Sequence, residues 1–207
     1  MISFAEFFEI NHEIILFAYG LVFFILGFAI IIRTRQSSRL ELARSLRWLA
    51  AFGILHGFNE WGDLFIPIQA TYLSSPTIRV LYIFQLILLT LSFTCLFEFG
   101  VSLLRALGRA VWLQGLVIGL VAAWFVSAFF VLFPLMPDEV EWRYLAIAFS
   151  RYFIGFPGGL LAAYGIRVYT LERITPLHSP SIVRTFKAVG HATATYAVLG
   201  GLIPPPI

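Results

Sequence analysis

The chain has 207 residues, of which 60% are hydrophobic, 17% aromatic and only 12% charged, and its mean hydropathy is +0.90. Soluble domains carry roughly 45–50% apolar and about 25% charged residues, so an ordinary soluble enzyme, a disordered chain and a disulfide scaffold are all excluded. A net charge of +3 is too small to suggest a nucleic-acid partner, and the lone Cys95 allows no intrachain disulfide.

Lipid is the solvent that fits such a chain. A bilayer core takes roughly 20 apolar residues per helix, because backbone amides in lipid must be satisfied within the segment. The opening MISFAEFFEINHE is acidic and lacks the basic region of a signal peptide. Six spans are expected after it, near 14–32, 46–68, 80–104, 111–133, 144–168 and 186–203. Period-two alternation, the mark of a membrane barrel, is absent. The expected fold is therefore all-α, one polytopic transmembrane bundle over residues 1–207. Between the first two spans, TRQSSRLELARSLR reads either as a positive stop or as a surface helix with Leu40, Leu42 and Leu46 turned inward. After the last span the chain reads Ile-Pro-Pro-Pro-Ile, a rigid exit that no helix continues. An end there favours a truncated chain whose seventh helix is missing.

Basic residues set the direction of the spans. All of the 14 Lys and Arg except Arg79, Arg143 and Arg151 lie in or beside the first, third and fifth connections. Those connections are expected to be cytoplasmic, which places both termini outside an inner (plasma) membrane. The two halves show no internal repeat.

Ionisable groups at membrane depth cost roughly 2.5–3.5 kcal/mol each on insertion scales, so each needs a reason. In GILHGFNEWGDLF, His56, Glu60 and Asp63 fall at about 0°, 40° and −20° on a helix, one stripe that Asn59 and Gly53 flank. Three readings fit this seam: a hydrogen-bond network that locks the bundle, a sensing or proton-responsive site, and a metal site. The metal reading lacks a matching second histidine. In the fifth span, Arg151 is expected at the depth of Glu60 and Asp63, and a pair with either carboxylate would neutralise it. Gly155, Gly158, Ala162 and Gly165 follow on the same expected face, where small residues admit a neighbouring backbone. Pro157, between Gly155 and the pair Gly158 and Gly159, marks either a hinge or a static kink. Glu98 and His191 form a second set in the inner third. His56 and His191 invite a bis-histidine haem, but their depths match poorly, so no cofactor is expected. No phosphate loop, nucleophile elbow or zinc-protease motif is present, and no activity as an enzyme is expected.

The run LARSLRWLAAFGILHGFNEWGDLFIP, the opening YGLVFFILGFAI and the later GFPGGLLAAYGIR resemble the N-terminal membrane region of bacterial and archaeal signalling proteins. In these a multi-helix sensor module precedes a cytoplasmic histidine kinase or diguanylate cyclase. The resemblance implies sensing by the bundle and a final helix that carries the signal inward. It implies a cytoplasmic signalling domain or partner, with homodimerisation open, and makes His56, Glu60 and Asp63 the natural sensing residues. The chain departs from the pattern in having no kinase or cyclase motif. A small ion- or proton-coupled transporter using the same seam, and a structural membrane subunit, remain the competing expectations.

Overall fold

A computed structural model describes residues 4–35, 41–109 and 112–202. Among these residues every regular element is helical. A short α1 (Phe4–Ile10) leads into α2 (His12–Arg35), followed by α3 (Glu41–Gln69) and α4 (Ser75–Ala106). Then come α5 (Leu113–Leu135), α6 (Glu139–Leu177) and α7 (Pro180–Leu202). Helices α2, α4, α5 and α6 are long and apolar enough to cross a membrane, which makes this a membrane protein. Helices α3 and α7, of 29 and 23 residues, have the length. The polar seam of α3 and Lys187, His191 and the threonines of α7 hold those two below the apolarity of the others.

Most of α4 is buried, with Phe93, Leu96, Val101 and Leu103 almost wholly enclosed, as expected of a helix that is apolar on every side. It packs against α3 on one flank and against α5 and α6 on the other, while α7 closes on α6. Large side chains point outward from α2 and α5 instead, including Val22, Phe28, Ile118 and Phe130. An apolar exterior of that extent matches lipid and would be a liability in water. The turn after α4 is closed by Gly108 at φ 71°, with Arg109 N–H donating to Leu104 O and Gly108 N–H to Arg105 O. This six-to-one and five-to-two pair is a Schellman stop, and it needs a residue without Cβ.

The residues read as a possible separate surface helix are partly the first turns of α3, where Leu42 and Leu46 pack half-buried on the core. Leu40 lies outside the described residues, as does the proline run at the C-terminus. Helices α2 and α3 meet through glycine. A Cβ on Gly53 would stand 2.7 Å from Phe23 O, and one on Gly27 2.7 Å from Ala50 O. One on Gly57 would stand 2.8 Å from Gly20 O. Backbones this close gain dispersion contact that no side chain would allow.

Proline shapes α5 and α6 in a common way. Wide π turns cover Ser127–Leu132, Arg151–Gly155 and Thr170–Ile174, ending two residues before Pro134, Pro157 and Pro176. In each case the residue preceding the proline donates its N–H five positions back: Phe133 to Ala128 O, Phe156 to Arg151 O and Thr175 to Thr170 O. Proline has no N–H and its ring crowds the carbonyl four residues earlier, so an extra residue in the turn relieves both. At Gly155, Pro157, Gly158 and Gly159, read from the sequence as a hinge or a static kink, the helix continues through a widened turn. Two tryptophans then lock α5 to α6. Trp124 donates its indole N–H to Ala146 O at 2.9 Å and Trp142 donates to Ala128 O at 2.6 Å.

Candidate functional site

The seam of α3 sits where its periodicity puts it, with His56, Asn59 and Glu60 buried. No π turn interrupts α3, so angles of about 100° per residue hold along it. His56 Nδ1 lies 3.1 Å from Ser92 Oγ of α4, and the Tyr196 hydroxyl of α7 lies 2.8 Å from Nε2. Ser92 spends its own proton on Leu89 O at 2.7 Å, so Nδ1 must be the donor to Ser92. Nε2 is then free to accept from Tyr196 O–H in the neutral ring. Glu60 Oε1 is also 3.3 Å from Nε2 and takes an N–H from Asn59 at 3.3 Å. A hydrogen bond between Glu60 and Nε2 requires a proton on one of the two. Protonating the ring turns Nε2 from acceptor into donor and so changes how α3 holds α7. Phe23, Phe52 and Phe93 surround the imidazole with centroids 4.6, 5.1 and 5.6 Å away.

One turn further on, Asp63 faces a cavity of about 220 Å³ between α3, α4 and α6. Gln85 of α4 bonds it at 2.6 Å and donates to Asn59 O at 3.1 Å, fixing the register of α3 on α4. Arg143, stacked 3.7 Å over the Tyr82 ring, and Arg151 complete the charged wall. This volume holds several waters or one small solute, since a liquid water occupies about 30 Å³.

Arg151 shares the cavity with Asp63 but forms no ion pair within 4.0 Å with Asp63 or Glu60. Its Nη1 donates to Gly200 O of α7 at 2.6 Å, and its buried Nε has no partner. A guanidinium from α6 thus meets a carbonyl in the last turn of α7, the part of a helix whose carbonyls lack regular intrahelical donors. The small face of α6 packs on α4 and α7. A Cβ on Gly158 would stand 2.9 Å from Phe97 Cβ, and one on Gly159 2.6 Å from Ala197 Cβ. Gly155 abuts the Phe93 ring, and a Cβ on Gly165 would stand 3.1 Å from Gly100 O. The Arg151–carboxylate pair expected from the sequence does not form, and α4 packs against both α3 and α6.

Glu98 is buried on α4 with Oε2 unpartnered, and His191 is exposed on α7, so the two do not act as a set. His56 and His191 do not meet either, and no group of three or more His, Cys, Asp or Glu suited to a metal occurs among the described residues. Tyr196, Ser92 and Gln85 were missed as site residues, since contacts between distant spans leave no trace in periodicity. The buried hydroxyl pair Thr90–Ser150, 3.0 Å apart and joining α4 to α6, escaped notice for the same reason. No family model, curated protein or solved structure matches the chain.

Proposed function

We propose that the chain is the membrane-embedded sensor or input module of a signalling system in the inner (plasma) membrane. In this reading it has six spans, α2 to α7, with both termini outside the cytoplasm. It has no catalytic machinery of its own, and acts as a homodimer or on a cytoplasmic signalling partner. One observation carries the reading: Arg151 lines the outer cavity and at the same time holds the end of α7 through Gly200 O. An anionic or zwitterionic occupant that recruits the guanidinium competes with that carbonyl, and α7 loses its tether. The His56–Tyr196 contact supplies a second grip of the core on the same helix.

The transporter reading needs a polar route inward from Asp63 past His56. Phe52, Phe93, Leu89 and Leu96 are each at most 3% exposed and form a dense layer there, which favours sensing over passage. The test uses the full chain in nanodiscs with a fluorine probe on Leu199→Cys, an exposed site one residue from Gly200. Glycine, acetate or inorganic phosphate should shift the probe and raise the melting temperature, and Arg151→Gln should abolish both effects. The reading fails if none of the three acts, or if Arg151→Gln responds like the parent. Proton flux in proteoliposomes that disappears in Glu60→Gln would establish the transporter in its place.

A further inference from the structure

A groove of about 660 Å³ runs along the crossing of α6 and α7, apart from the outer cavity. Its floor is Ala163, Gly190 and Ala194, and Phe186 forms part of one wall. Arg167, Lys187 and His191 line it beside the hydroxyls of Tyr164 and Thr170, and no acidic residue does. The nearest carboxylate by sequence, Glu172, is paired with Arg109 at 2.7 Å. Neither Arg167 nor Lys187 has an acidic partner within 4.0 Å among the described residues. The groove therefore gathers two basic side chains and an imidazole with no carboxylate beside them among the described residues. Gly190 helps to keep it open. The nearest atoms to a Cβ there would be Ile166 Cγ2 at 3.4 Å and Ala163 O at 3.9 Å, ordinary contacts, whereas one on Gly159 would collide with Ala197 at 2.6 Å. Gly159 is small so that the helices can touch, but Gly190 leaves space that neither helix fills.

The cations and the apolar floor are ordered along the helices. Arg167 and Lys187 lie toward the α6–α7 turn, where long basic side chains reach a headgroup layer. Ala163 and Ala194 lie further from that turn, where the six-span reading puts hydrocarbon. A ligand that satisfies both ends has an anionic head and an apolar tail. We infer that this groove binds one anionic phospholipid, its phosphate held by Arg167 and Lys187 with His191 and Gly190 at the boundary, and one acyl chain laid over Ala163 and Ala194. Basic pockets between membrane helices hold such headgroups by this chemistry.

The test is native mass spectrometry of the full chain released from mixed phosphatidylglycerol and phosphatidylcholine nanodiscs, with melting temperature as a check of folding. The parent should retain one phosphatidylglycerol in preference to phosphatidylcholine. Arg167→Gln with Lys187→Gln should weaken retention roughly thirtyfold, the sum expected for two cations at a headgroup. Gly190→Leu, which fills the groove and leaves every charge in place, should also weaken it. Arg33→Gln with Arg35→Gln, at the end of α2, should not. Equal retention of both lipids overturns the inference, as does a double variant that binds like the parent. So does inorganic phosphate that stabilises the chain as well as phosphatidylglycerol does, since the tail then contributes nothing. If neither groove variant folds, a photoactivatable phosphatidylglycerol applied to the parent decides. Label within 163–194 supports the site, and label confined elsewhere refutes it.

Discussion

Replacing Gly53 by alanine adds one methyl group where α2 and α3 touch. The new carbon would stand 2.7 Å from Phe23 O and 2.9 Å from Gly27 N, both backbone atoms with no rotamer to yield. Ordinary contact begins near 3.4 Å, so the helices must part by roughly 0.7 Å. A gap of that size forfeits about a quarter to a half of each dispersion contact along the crossing. It also strains the bond from Trp61 Nε1 to Phe17 O, now 3.1 Å. Overpacking of this kind costs about 1–3 kcal/mol, against which the better helix propensity of alanine returns up to about 1 kcal/mol. With the full return from alanine we therefore expect a net loss of up to about 2 kcal/mol. Gly119 on α5 is the control, because a Cβ there meets nothing within 4 Å. Gly119→Ala should stabilise by up to about 1 kcal/mol. Steric trapping in bicelles reads both free energies directly. A Gly53→Ala chain as stable as the parent, or more so, would refute the reasoning.

Tyr196→Phe keeps the ring among Phe23, Phe52 and His56 but removes the hydroxyl, and should cost about 0.6–1.7 kcal/mol, from the average to the maximum for hydrogen bonds between membrane helices. A double-mutant cycle with His56→Leu should show coupling of the same size, and additive losses would mean that the 2.8 Å contact contributes nothing. Trp142→Phe removes the donor to Ala128 O while leaving an aromatic ring, and should destabilise the α5–α6 pair by about 1 kcal/mol. Faster hydrogen exchange confined to α5 and the first half of α6 is the expected signature, whereas uniform exchange would count against that local role.

Two kinds of information lay open in the sequence to different degrees. Within one regular helix, positions are related by a constant angle, and so the His56, Glu60 and Asp63 seam was legible from spacing alone. Across a π turn that constant fails. Arg151 begins such a turn, so carrying an angle from it to Gly165 overlooks the extra residue between them. Charge reasoning also pointed Arg151 toward a carboxylate, whereas its partner is a backbone carbonyl, Gly200 O, in the last turn of α7. Partners on separate spans, Tyr196 and Ser92 for His56, depend on packing that a single sequence does not encode at any fixed distance. The glycines at positions 20, 27, 53 and 57 were visible as residues, yet their function as one seam required both helices at once.

The three prolines with their wide turns bear on the descent of this chain. A π turn is a regular helix with one residue added, so α5 and α6 together hold three such additions. A relative that lacks any one of the prolines would be free to lose that residue as well. It would keep the same bundle with a shorter helix. Alignments that forbid gaps inside membrane helices would slip by one position at each of these points. Homologues of the chain should accordingly be sought with single-residue gaps allowed just before Pro134, Pro157 and Pro176.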